Sequence, residues 1–150
     1  MSGIIVGVDG SGHSQRALGW AMREAAIRRV PLTVITVSEA IRGYYSGMAI
    51  YPDDATRTEE ARQLAQAETD KVLAGLDEPS PASVTVKAVH GFVIEEIINA
   101  GRDADMIVVG SRGAGGFTRL MMGSVASQVA QHAHCPVLIV PPENRSEQHS

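Results

Sequence analysis

The sequence is poor in the residues that staple, stack or carry positive charge. Its one cysteine, Cys135, has no partner for an internal disulfide, so the fold must rest on packing and a reducing cytoplasm is the expected setting. Aromatic residues make up 4% of the chain, which leaves the core to aliphatic side chains. The only lysines are Lys71 and Lys87, and the net charge is −4. Affinity for nucleic acid depends on clustered positive charge, so nucleic acid is excluded as the expected partner. No apolar run approaches the roughly 20 residues that span a bilayer, and no basic segment followed by an apolar one opens the chain; membrane insertion is not expected.

What is present is ordinary for a globular protein. With 44% hydrophobic residues in a chain of 150, one domain can bury roughly two thirds of its unfolded surface. That domain is expected over 1–142, followed by a polar tail at 143–150.

Short aliphatic runs alternate with amphipathic stretches from start to finish. Strands are expected at 4–8, 32–37, 84–89, 106–109 and 136–140, each bounded by turn-forming residues. Between the first two, Ala17, Leu18, Ala21, Met22, Ala25 and Ala26 recur at helical spacing; Ser11 or Ser14 is placed to cap that helix, Arg28 and Arg29 to end it. A second helix is expected over 56–76, with Ala61, Leu64, Ala65, Val72, Leu73 and Leu76 inward and a solvated face that includes Arg57, Glu59, Glu60, Arg62 and Glu68. A third runs over 92–102 and a fourth over 124–132. The segment 38–54 shows no period and holds Tyr44 and Tyr45; such a loop is a candidate lid or binding loop, with its tyrosines packing it down. Aliphatic strands joined by crossover helices specify an α/β fold, a parallel sheet covered on both faces.

In such sheets ligands bind beyond the carboxyl ends of the strands. The candidates there are Asp9, Gly10 and Ser11 after the first strand, Val37 and Ser38 after the second, His90 and Gly91 after the third, and 110–124 (GSRGAGGFTRLMMGS) after the fourth. The last is a glycine-rich loop entering a helix, where unpartnered N–H groups and the helix dipole favour an anion. No lysine follows a final glycine, so it is not a Walker loop, and no third glycine stands in register for a dinucleotide fingerprint. A phosphoacceptor receiver domain is set aside too, since the first strand is followed by a lone Asp9 and the fifth by Pro141 and Pro142 where a lysine is wanted. His132, His134 and Cys135 sit at a helix end before Pro136, where they suit the dipole and a buried thiol better than a metal.

What does match is Gly110-x-x-Gly113, nine residues, then Gly123-Ser124. Together with Ile4-Ile5-Val6-Gly7-Val8-Asp9-Gly10-Ser11 and His132-Ala133-His134-Cys135-Pro136-Val137-Leu138-Ile139-Val140, this spacing resembles the universal stress protein family in its ATP-binding branch. The resemblance implies a Rossmann-like five-stranded sheet ordered 3-2-1-4-5, which sets Asp9 across one crevice from the glycine loop. It implies that Asp9, with Gly10 and Ser11 in its turn, lies near ribose and the metal-phosphate region, and that the backbone at Val37 reads adenine. It implies that Gly110, Gly113, Gly123 and Ser124 hold phosphates with Arg112 and the amide of Val125 nearby. The ligand is then ATP or another adenine nucleotide, and Asp9 meets either an accompanying Mg²⁺ or a ribose hydroxyl. Many family members carry Pro two residues after the glycine that follows strand three, where this chain has Val93. Arg112 and Arg119 supply charge in place of a Walker lysine.

Three functions stay open on these residues. A regulatory nucleotide-binding module fits best, because anion donors are present without a convincing catalytic pair. A slow ATPase or phosphotransferase would have to use Ser111 or Asp9. A nucleotide-free dimeric scaffold is the third. The unbroken 137–140 strand, an edge in the implied order, is expected to pair with a second copy of the chain.

Overall fold

The computed structural model describes residues 3–10, 12–39, 54–76, 81, 83–111 and 123–141. Nine elements follow in strict alternation: β1 (Ile4–Gly7), α1 (Gly12–Arg28), β2 (Leu32–Glu39), α2 (Asp54–Ala74), β3 (Val84–Gly91), α3 (Val93–Ala100), β4 (Met106–Gly110), α4 (Ser124–His132) and β5 (Val137–Val140). The five strands form one parallel sheet in the order β3-β2-β1-β4-β5.

Each strand sends alternate residues to opposite faces, and the two faces build two cores. Ile4, Val6 and Val8 of the first strand segment, with Leu32, Val34 and Val108, pack under Ala17, Leu18, Ala21, Met22 and Ala25 of α1 and Ala65 of α2. Ile5, Ile35, Ile107 and Val109 point the other way, against Ile97 of α3 and Ala126 and Val129 of α4. Helices α1 and α2 therefore cover one face and α3 and α4 the other. Small alanines on α1 let that helix lie close to the sheet, and Ala17, Leu18, Ala21, Met22 and Ala25 on its inner face are wholly buried.

Several boundaries differ from the sequence expectation, each because tertiary pairing decides the end of an element. Ser38 and Glu39 were expected to open the long loop but extend β2, since the β3 ladder continues through Ser38 to His90 and Glu39 to Gly91. β3 gains the same two residues. β1 closes at Gly7 and β5 opens at Val137, one residue inside the expected limits. α2 begins and ends two residues earlier than expected, and α3 spans Val93–Ala100, with Phe92 extended as its N-cap and Gly101 as its C-cap. Ser14 does not cap α1; it lies inside the helix, which starts at Gly12. On α2, Leu64 is 66% exposed although its type suggested an inward position, and Glu68, expected on the solvated face, is only 9% exposed. The tyrosines of 38–54 and the tail from 143 lie outside the described residues.

Candidate functional site

The sheet changes winding direction between β1 and β4. α1 leaves β1 toward one face and α4 leaves β4 toward the other, so the switch point, where sheets of this kind form a ligand crevice, lies between the two exits at the carboxyl edge. Asp9 and Gly10 emerge from β1 on one side of it, exposed to solvent. Gly10 has φ +82°, the left-handed region, so this turn calls for glycine even though a Cβ would meet nothing within 4 Å.

On the other side, Gly110 ends β4 and the Ser111 N–H donates to the Val140 carbonyl at 2.8 Å, fastening the strand end to β5. The Gly123 N–H then donates to the Ser111 carbonyl at 2.6 Å, so both ends of the glycine loop are pinned together at its neck. α4 starts directly above that neck. Its N-cap, Gly123, has φ −62° and ψ 156° and no side chain with which to occupy the first amides; the first helical bond runs from the Ser127 N–H to the Gly123 carbonyl at 3.0 Å. The amides of Ser124, Val125 and Ala126 thus precede the first helical hydrogen bond, at the positive end of the dipole. Ser124 is exposed with its hydroxyl at the same end, and a groove beside it is lined by Phe92, Val93, Glu95, Ile98, Gln128 and His132.

Val37 supplies the third part of the arrangement. The Val8 N–H donates to the Ile35 carbonyl at 3.0 Å, and β1–β2 pairing ends with Gly7 against Ile35. Carbonyl direction alternates along a strand, so the Val37 carbonyl faces the same side one step beyond the last β1–β2 pair, toward the crevice. The structure therefore gathers Asp9, Gly10, Val37, Gly110, Gly123, Ser124 and Val125 at one edge of the sheet. Ser11, Arg112, Gly113 and Arg119 lie outside the described residues.

Two residues that the sequence reading did not place here belong to the Asp9 side. The Ser14 hydroxyl, 5% exposed in the first turns of α1, donates to Glu68 Oε2 on α2 at 3.3 Å. Glu68 Oε1 is buried with no hydrogen-bond partner. Burial pushes the Glu68 carboxyl above the usual range, the Ser14 hydrogen bond opposes that, the charge of Asp9 raises it further and Lys71 lowers it. The signal was present in spacing: Glu68 stands three residues after Ala65 and four before Val72, on the stripe that packs inward. Elsewhere, His132 and His134 are exposed, and Cys135 is half-buried against the α3–α4 core with its thiol pushed up by burial. Among the described residues no three His, Cys, Asp or Glu side chains group to hold a metal, and no helix is long and apolar enough to cross a membrane.

An open α/β sheet of this order, with an anion-receptive helix start at its switch point, defines a class of domain. Comparison with known proteins supplies the family. The model of the universal stress protein family matches residues 1–141, and the chain belongs to that family. A universal stress protein of Mycobacterium bovis is 32% identical over 155 residues, covering 95% of this chain; the chain spans about half of that relative's length, 49%. The structure of universal stress protein UspA from Lactobacillus plantarum superposes with a TM-score of 0.71 at 23% identity, over 93% of this chain and 97% of that one. A universal stress protein solved in complex with cAMP gives a TM-score of 0.58 at 27% identity, over 93% of this chain and 96% of that one.

Proposed function

We propose that the chain is an adenine-nucleotide-binding regulatory module, holding ATP or another adenine nucleotide with weak or no hydrolysis. The observation that carries this reading is the polarity of the crevice: acceptors at Asp9 and Val37 on one side, and the donor-rich start of α4 across from them. A relative of the same family and fold holds cAMP, a ligand with both an adenine and an anionic end. In this reading the phosphates rest on the Ser124 and Val125 amides and the Ser124 hydroxyl, the 110–123 neck keeps those donors in place, and adenine meets the backbone at Val37. Asp9 accepts a ribose hydroxyl or faces a Mg²⁺ that accompanies a triphosphate, and Arg112 and Gly113 complete the loop. The chain then responds to stress by sensing nucleotide in the cytoplasm. The direct test is to heat-denature the purified protein and identify the nucleotide released; equilibrium dialysis that shows no adenine nucleotide bound at millimolar concentration would refute the reading.

The module is proposed to act as a homodimer through β5. This strand is the sheet edge, and among the described residues no strand pairs with its outward side, where a second copy is proposed to pair. The Pro136 and Val140 carbonyls accept from β4, so by alternation the Ile139 N–H points away from β4. Ile139→Pro removes that outward donor while sparing the β4 ladder; sedimentation is expected to show a dimer for the wild type and a monomer for the variant.

A further inference from the structure

We propose that Glu68 is a charge filter for the crevice, a buried negative charge behind Asp9 that disfavours metal-free triphosphate relative to monophosphate. The inference rests on the nucleotide-binding reading above and names which ligands the site admits: a nucleoside monophosphate or cyclic monophosphate on its own, and a triphosphate as its divalent-cation complex.

Three observations carry it. Glu68 is 9% exposed and its Oε1 has no partner, a costly arrangement for a carboxylate. Its one hydrogen bond, from Ser14 at 3.3 Å, needs only an acceptor, which a glutamine in the same place would supply without charge. The bond also fixes where the charge sits, against the first turns of α1, the helix that follows the Asp9–Gly10 turn, and near enough for Asp9 to act on it electrostatically. Lys71, also on α2, acts on Glu68 in the opposite sense. The α4 side has the reverse polarity. A ligand with one phosphate seats its charge at α4; ATP carries two further negative charges and meets repulsion from the acidic side unless a cation offsets it.

The test measures Kd for AMP and for ATP in EDTA at low ionic strength, then with Mg²⁺, for wild type, Glu68→Gln and Ser14→Ala. Glu68→Gln is expected to improve ATP relative to AMP in EDTA by about threefold to tenfold, and Mg²⁺ is expected to erase most of the difference between variant and wild type. Ser14→Ala removes the hydrogen bond but not the carboxyl, so at a pH well above the carboxylate range its ATP to AMP ratio should stay with the wild type; a purely structural role would instead move Ser14→Ala and leave Glu68→Gln, which keeps the bond, with the wild type. Glu68→Leu, which also removes the unpartnered oxygen, serves as a second charge-free variant should Glu68→Gln not fold. An unchanged ratio in a charge-free variant that still binds AMP overturns the filter alone. Failure of the wild type to bind either nucleotide overturns the nucleotide reading and the filter with it.

Discussion

The two sides of the crevice are built from opposite materials. On the α4 side the frame is backbone, joined by the Ser124 hydroxyl: a strand end fastened to β5, a loop neck closed by one short hydrogen bond, and a helix start whose N-cap is a glycine. On the β1 side the Val37 carbonyl is joined by side chains, Asp9 from the strand end, Ser14 from α1 and Glu68 from α2, the last two separated by 54 residues of chain. Backbone donors at a helix start can serve any anion. Acidic side chains select among anions by what else they carry, so in the proposed site affinity and selectivity fall to different sides.

The sharpest way to break this division is to put a carboxylate on the donor side. Gly123→Asp has a backbone that accepts any residue, φ −62°. The new side chain caps α4 and takes the amides proposed to hold phosphate. AMP binding is expected to fall about a hundredfold in calorimetry, from lost donors and like-charge repulsion, while urea unfolding shows the protein unharmed or more stable by a few tenths of a kcal/mol, roughly the gain of Asp over Gly at an N-cap. Loss of both stability and binding would mean that the helix start is structural.

A smaller effect is expected on the acidic side. Asp9→Asn keeps the shape and weakens the acceptor, and adenosine and AMP should each lose about tenfold, the scale of a hydrogen bond to a charged group. Equal loss for both ligands ties Asp9 to the nucleoside, whereas loss for AMP alone would place phosphate there. Ser124→Ala removes a neutral hydroxyl and should cost AMP about fivefold and adenosine nothing measurable.

The smallest effect is on stability. The folded state raises the Glu68 pKa above its unfolded value. Stability from the protonated carboxyl is therefore fully present below the ordinary carboxylate range and is lost as pH rises through the raised value. Glu68→Gln has no such loss. Its advantage over the wild type should be near zero at the acid end of the carboxylate range and grow to about 1 kcal/mol at neutral pH in urea titrations; a gap that stays flat with pH would show that Glu68 does not titrate with folding.

How much of this was legible beforehand follows the same division. Aliphatic runs such as 106–109 and helical spacing such as Ala17 to Ala26 are local, and they placed every strand and helix within two residues. The glycine loop is local too, and its donors were visible as residue types. The strand order followed from family resemblance, because no local pattern says that β1 lies between β2 and β4. Ser38 and Glu39 read as loop because what holds them in β2 is pairing with His90 and Gly91, some fifty residues on. Glu68 was misread for a different reason. Residue type put Leu64 inward and Glu68 outward, but the stripe through Ala65, Thr69 and Val72 that meets the sheet and α1 includes position 68 and leaves Leu64 in solvent. Geometry overrode polarity there, and a buried polar residue that runs against its type is where function was worth seeking.

The central claim is that phosphate sits on the first turn of α4 and the nucleoside on the β1–β2 side. Backbone-amide NMR on the full chain tests it with two ligands, AMP and adenosine. AMP should shift the Ser124 and Val125 amides together with those of Asp9 and Val37, and adenosine should shift the Asp9 and Val37 amides while leaving Ser124 and Val125 in place. Equal shifts at Ser124 and Val125 with both ligands, or none with AMP at saturation, would contradict the account.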